Sequence, residues 1–256
     1  MRLVDSHSHF DAAEFDVDRG GAHARAIAAG VIAQVVPAID AAGWPKLKTI
    51  CAEFAGLHAA YGLHPMYLDA HRPAHLDDLR DWIERERPVA VGECGLDYFV
   101  DGLDHEAQQG YFDGQLRLAR AFDLPVIVHA RRAVDAVIAS IRKIGGLRGV
   151  VHSFSGSAEQ ATHLHELGFL LGIGGPVTHE RAQRLRGIVA TMPIEQLLLE
   201  TDAPDQPGAA HRGERNEPAH LIEVLQVVSA LRATSPEDIA AVTTANAERL
   251  FGLPGL

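Results

Sequence analysis

Apolar, β-branched runs alternate with amphipathic segments along all 256 residues, and this alternation predicts an α/β fold, a single-domain (β/α)8 barrel. Three observations carry the expectation. Runs fit for strands recur near 2–5, 31–37, 58–63, 88–93, 125–129, 149–153, 169–173 and 196–200. The segments between them, Glu106 to Phe122 and Ala133 to Ile144 among others, repeat apolar residues at three- and four-residue spacing, as a helix packed on one face does. Polar residues gather where these strands end, and such barrels carry their chemistry at the C-terminal strand ends. A doubly wound sheet is the competing arrangement. It more often has a Gly-rich phosphate loop after its first strand, where this chain has His7-Ser8-His9-Phe10.

The elements follow in order. Leu3-Val4-Asp5 is a short run suited to a buried first strand. Pro88 and Pro125 stand at strand starts, where a missing N–H does no harm. Gly30, Gly145-Gly146 and Gly168 close helices. Beyond the eighth strand, a polar loop over 203–216 leads to a helix from about Glu217 to Arg232 and a last one from about Pro236 to Phe251. No long linker, charge run or low-complexity segment divides the chain, so one domain over 1–256 is expected.

Hydrophobic residues make up 47% of the chain, and mean hydropathy is near zero. That is enough for a sizeable core. No run approaches the roughly 18 apolar residues of a bilayer span, and the N-terminus lacks the zones of a signal peptide. Cys51 and Cys94 have no CxxC spacing and make no disulfide framework, so a reducing cytoplasm is expected. A net charge of −11 argues against a broad electrostatic nucleic-acid binder. An enzyme that handles one strand end, with metal ions supplying local positive charge, stays open. No surface stripe stands out as an interface, so a monomer with no obligate protein partner is expected.

In an extended backbone, side chains two residues apart share a face, so His7 and His9 point the same way. Further strand ends carry His64, Glu93 with Asp97, His129, His152, and Glu200 with Asp202. Each of these has a bland reading as a loop residue or cap. Four histidines and two carboxylates arriving together at one barrel face point to metal. Six potential ligands, His7, His9, Glu93, His129, His152 and Asp202, exceed one tetrahedral zinc with an open position. They suit two ions that share a carboxylate, and Glu93, mid-barrel, is the natural bridge. Histidine-rich ligation favours zinc, manganese, iron or cobalt over magnesium.

Asp5-Ser6-His7-Ser8-His9-Phe10, Gly62-Leu63-His64-Pro65, Val91-Gly92-Glu93-Cys94-Gly95-Leu96-Asp97, Pro125-Val126-Ile127-Val128-His129-Ala130-Arg131, Val150-Val151-His152-Ser153-Phe154-Ser155-Gly156-Ser157 and Glu200-Thr201-Asp202-Ala203-Pro204, in this order, resemble the TatD family of metal-dependent hydrolases, within the amidohydrolase-type barrels. The resemblance runs from Val4 to about Phe251. It implies a two-metal barrel that hydrolyses phosphodiesters in DNA, with family nucleases usually described as working with magnesium. Carried over, His7, His9, Glu93 and Asp202 would hold the first ion, and Glu93, His129 and His152 the second. His64 would lie by the substrate phosphate, outside the ligand set. His211-Arg212-Gly213 and Asn216-Glu217-Pro218 match the family's tail pattern, a loop that helps to shape the substrate end of the cleft.

There are departures. Ser8 stands where the family often has Cys, and Cys94 at a usually aliphatic position, where it should behave as a small core residue. Arg132 replaces a usual Asp after strand five, and Asp205-Gln206 a usual Tyr-Leu. The last two changes put substrate identity in doubt.

These readings make the chain an exonuclease on single-stranded or damaged DNA, using a metal-bridging hydroxide. Asp202 would accept the water's proton, and His64 and Arg131 would offset charge in the transition state; Arg131 is equally suited to a structural ion pair. The same hydroxide attacks carbon, so a carboxylic ester or amide, such as an aminoacyl-tRNA ester, is the alternative substrate. A metal-binding protein without catalysis is disfavoured, because every ligand position is filled. Base-stacking rings are sparse, with Phe10, Tyr67, Tyr98 and Phe99 the candidates near strand ends.

Overall fold

The computed structural model describes residues 1–253. Eight parallel strands pair in chain order: β1 (Leu3–Asp5), β2 (Val31–Pro37), β3 (Leu57–Tyr61), β4 (Ala90–Asp97), β5 (Val126–Arg131), β6 (Gly149–Val151), β7 (Phe169–Ile173) and β8 (Leu197–Leu199). The seam between β8 and β1 is bridged where Ser6 N–H donates to Leu199 O at 3.0 Å and Asp202 N–H to His7 O at 2.9 Å. The helices α1 (Arg19–Ala28), α2 (Trp44–Glu53), α3 (His75–Glu86), α4 (His105–Ala121), α5 (Val134–Ile144), α6 (Ala158–Glu166), α7 (Gln183–Thr191) and α8 (Leu221–Arg232) alternate with or follow the strands, and α9 (Pro236–Phe251) comes last. This is the nearly closed (β/α)8 barrel that the alternation predicts.

Apolar packing falls into two clusters. One joins the strands' outer faces to the helices, as Leu3, Leu47, Phe112, Val137, Leu164 and Val224 show. The other fills the barrel with Val4, Ala33, Ala60, Ala90, Ile127, Val150 and Leu198, and is continued by Ala247, Leu250 and Phe251 of α9 and by Leu253. The last helix therefore packs on the interior of the barrel.

Most boundaries fall within two residues of expectation, and two differ by four. β4 runs to Asp97, four residues past the expected end, because its ladder with β5 resumes at Cys94–Val128 after a register shift. Glycines permit this. Gly92 and Gly95 take φ of 154° and 144°, and a Cβ at either would collide with the β5 backbone at Ile127 or His129. The helix expected from Glu217 begins instead at Leu221. Glu217 is extended, and Pro218–His220 forms a separate 3-10 turn before α8.

Candidate metal centre

β1 delivers the first two histidines. Beyond Asp5 the chain leaves the ladder, with Ser8 N–H donating to Val35 O (3.1 Å) and its hydroxyl to Gln34 Oε1 (3.1 Å). Ser8 therefore points away from the site while His7 and His9 turn into it. β4 delivers Glu93, β5 His129, and the ends of β6 and β8 His152 and Asp202. Asp202 and Ser153 take left-handed φ of 58° and 44°, conformations that non-glycine residues adopt mainly where the fold enforces them.

Glu93 is 1% exposed and offers one oxygen to each of two groups of donors. Its Oε2 lies 3.1 Å from His7 Nε2 and 3.3 Å from His9 Nε2. Those nitrogens are 3.3 Å apart, and Asp202 Oδ1 lies 3.4 and 3.6 Å from them. Donors on a tetrahedron with bonds of about 2.1 Å would lie about 3.4 Å apart, so these four atoms are spaced as ligands of one ion. Glu93 Oε1 faces the second group, with His152 Nε2 at 2.8 Å, His64 Nε2 at 2.9 Å and His129 Nδ1 at 3.1 Å.

Hydrogen bonds choose which nitrogens are bare. His129 Nε2 meets Asp97 Oδ2 at 2.8 Å, which places its proton there and leaves Nδ1 free as a ligand. His64 is the reverse. Its Nδ1 accepts from Met66 N–H at 3.2 Å, so in the neutral ring Nε2 carries the proton and donates to Glu93. Sequence reasoning placed His64 outside the ligand set and beside the substrate. The structure sets it directly on Glu93 and also on the cleft wall.

The pocket fits cations. Glu93 Oε2, His7 Nδ1, His152 Nδ1 and Glu200 Oε2 are buried without a hydrogen-bond partner among the described residues. An unpaired buried oxygen facing two imidazole nitrogens is costly unless a cation lies between them. Three groups, His7–Glu93–His152, His7–His9–Asp202 and His64–Glu93–His129, each bring donor atoms within 4.8 Å of one another. Burial alone would raise the Glu93 carboxyl, yet His152, His64 and His7 hold it well below the usual carboxylate range. Burial raises Asp202 to about 6, against the lowering pull of His152 and His9.

Supporting carboxylates had no role in the sequence reading. Asp5 accepts from Thr201 N–H (3.0 Å), Thr201 Oγ1–H (2.6 Å) and His7 N–H (3.3 Å), tying β1 to the segment that bears Asp202. Glu200 Oε1 accepts from Ser153 N–H at 2.5 Å, next to His152. The amide of Gln206 donates to Asp202 Oδ2. Asp97 shares a face with Glu93 only because β4 continues past Gly95, which no local pattern announces.

These groups open onto a cleft of about 750 Å³, whose wall also includes Tyr67, Arg131 and Gln206. Among the aromatic candidates, Tyr67 and Phe99 are exposed (43% and 42%), while Phe10 is fully buried and Tyr98 stacks on His105 at 4.2 Å. His211 is not on the cleft wall but bonds Glu214 and Glu223. Asn216, from the same tail pattern, donates to Thr201 O and Asp205 O, both at 2.8 Å, and so braces the segment that bears Asp202. Cys51 and Cys94 are free thiols. Cys94 is buried, and burial pushes its thiol well above the usual range, as suits a small core residue.

A parallel eight-stranded barrel with carboxylate-linked histidine clusters at its C-terminal face defines a metal-dependent hydrolase. Comparison with known proteins narrows the class. The family model described as TatD related DNase matches residues 4–252, and the chain belongs to the TatD family. The metal-dependent hydrolase YjjV of Escherichia coli (strain K12) is 40% identical over 256 residues, spanning 99% of both chains. The crystal structure of Escherichia coli YjjV, a TatD homologue, superposes with a TM-score of 0.94 over 99% of each chain. A 3'-5' ssDNA/RNA exonuclease TatD from Klebsiella pneumoniae is 32% identical over 262 residues, 98% of each.

Proposed function

We propose that this TatD-family hydrolase is a deoxyribonuclease acting as an exonuclease on single-stranded or damaged DNA, with two divalent ions per chain. The observation that carries the reading is Glu93, which turns one oxygen to each of two donor groups at the base of an open cleft. His7, His9, Glu93 and Asp202 would hold one ion, and Glu93, His129 and His152 the other, with zinc, manganese, magnesium, cobalt or iron as candidates. Bound there, the ions would polarise a phosphoryl oxygen and lower the pKa of the attacking water. Asp202, fixed by Gln206 through its other oxygen, takes that water's proton and can return it to the leaving 3′-oxygen. Arg131, on the cleft wall, turns positive charge toward the phosphates of the bound strand, while His64, whose one ring proton goes to Glu93, lines the wall beside that carboxylate. The relative named as a ssDNA/RNA exonuclease supports the substrate class. The barrel works as one domain over 1–256, as a monomer in the cytoplasm.

The test is metal-stripped protein resupplied separately with magnesium, manganese and zinc and given an end-labelled single-stranded oligonucleotide, with Glu93→Ala as control. A metal-dependent ladder that vanishes in the variant supports the reading. Inertness with every metal, alongside about two bound ions per chain, would turn attention to carboxylic esters, amides and aminoacyl-tRNA esters.

A further inference from the structure

Beyond the proposed ligands, Arg131 on the cleft wall and Arg132 next to it in the chain carry an unspent positive charge. Arg131 and Arg132 are both exposed, in a chain whose net charge is −11. Among the described residues, neither guanidinium makes a hydrogen bond or an ion pair. Asp135, three residues on, accepts instead from Gln160 at 2.8 Å. Both guanidinium carbons lie over the ring of Phe99, at 3.7 and 4.7 Å from its centroid. Stacking uses a guanidinium's face and leaves its in-plane N–H donors free, the geometry that grips a phosphate in two places.

The stack is mounted on the site itself. Asp97 accepts from Phe99 N–H (2.8 Å) and Val100 N–H (3.0 Å) on one oxygen, while its other oxygen holds His129. Tyr98 N–H donates to Arg131 O at 2.9 Å, locking the Phe99 turn to the end of β5. His129 and Arg131 lie two residues apart on that strand, which places Arg131 about 6.6 Å further along. Stacked nucleotides rise about 3.4 Å each, so this step spans one or two nucleotides.

We infer that Arg131, Arg132 and Phe99 form a phosphate platform, which grips the backbone of a single-stranded nucleic acid one or two nucleotides from the bond to be cut. The inference rests on the nucleic-acid reading of the cleft and deepens it. It makes the enzyme discriminate a strand, with several phosphodiesters, from an isolated one.

The test uses metal-replete protein and a fluorescein-labelled oligothymidylate with phosphorothioate linkages, followed by anisotropy across a salt series. Arg132 has a φ of 54°, so Arg132→Asn and Arg132→Asp suit its backbone. The expected result is binding weakened about tenfold in Arg132→Asp and less in Arg132→Asn. The slope of log affinity on log salt should fall by about one in Arg132→Asn. In kinetics with the same oligothymidylate carrying ordinary phosphodiester linkages, the loss should appear in KM, with reduced preference for it over bis(p-nitrophenyl) phosphate. Affinity and salt slope unchanged in Arg132→Asp would overturn the platform, whether or not the strand is cut. Wild-type protein that binds the strand through Arg132 yet never cleaves the same oligothymidylate with ordinary phosphodiester linkages would overturn the nuclease reading and support the platform.

Discussion

The same eight strands finish in opposite chemistry at their two ends. Inside the barrel Val4, Ala90, Ile127, Val150 and Leu198 meet Leu250 and Phe251 of α9, all buried and all apolar. Toward the C-terminal face, Glu93 on β4 and His129 on β5 join His7, His152 and Asp202, which follow β1, β6 and β8, and Glu93 is buried with an oxygen that no hydrogen bond satisfies. One region gains from burying carbon; the other tolerates buried polar atoms that stability alone would remove. The comparison teaches that stability and chemistry are separable in this fold along the length of a strand, and substitutions can test the separation.

The largest effect is expected at the polar end. Glu93→Gln should lower metal-dependent hydrolysis by at least about 10²- to 10³-fold, since one carboxylate serves both donor groups. In the wild type a chelator should also lower Tm, because ions that bind the folded form add to its stability. Glu93→Gln should lose most of that chelator response while remaining folded by circular dichroism. A variant that kept the full response would show that Glu93 does not join the two groups.

At the apolar end the pattern should invert. Phe251 is 4% exposed, and Phe251→Ala should cost about 3–5 kcal/mol, a fall in Tm of roughly 10 °C. Measured well below that Tm, kcat should stay within about twofold. A parallel collapse of kcat would mean that packing beneath the site holds its geometry, and the two ends would not be separable.

Asp97→Asn sharpens the line between ligand and support. Asn can still accept from His129, but without a charge, and its amide orientation must also serve Phe99 and Val100. Losses of about tenfold in activity and in metal affinity are expected, since partners of ligating histidines commonly contribute 10- to 100-fold. An effect as large as that of Glu93→Gln would make Asp97 itself a ligand.

How much of this the sequence discloses depends on the range of the interaction. Period-two geometry and strand endings suffice to bring His7, His9, Glu93, His129, His152 and Asp202 to one face, since each requires only local backbone direction. The extent of β4 is not legible. Gly92 and Gly95 read as strand breakers until β5 is known to resume pairing at Cys94. Asp5 meets Thr201 across 196 positions of chain, a contact that exists only once the barrel closes. Phe99 likewise looks like a loop anchor until Tyr98 bonds Arg131 and brings two guanidinium groups over the ring.

The smallest expected effect lies outside both ends. Arg215 bonds Asp18 (2.7 and 2.9 Å) and Glu217 (2.7 Å), while Arg25 bonds the same two carboxylates, clasping the N-terminus of α1 to the loop before α8. Hydrogen bonds from Arg215 and Arg25 hold Asp18 well below the usual carboxylate range, and Arg25 leads in lowering Glu217. A carboxyl whose pKa is lower in the folded chain adds stability above its unfolded value of about 4 and loses it as pH falls through the folded value. Arg215→Gln should therefore lower Tm at neutral pH by about 2 °C or less, given solvent screening. The gap from wild type should narrow as pH drops below about 4, and added salt should narrow it at neutral pH. A gap unchanged in acid would show that the arginine acts by packing on Phe15, whose ring centroid lies 4.6 Å from its guanidinium carbon, and not through its carboxylates.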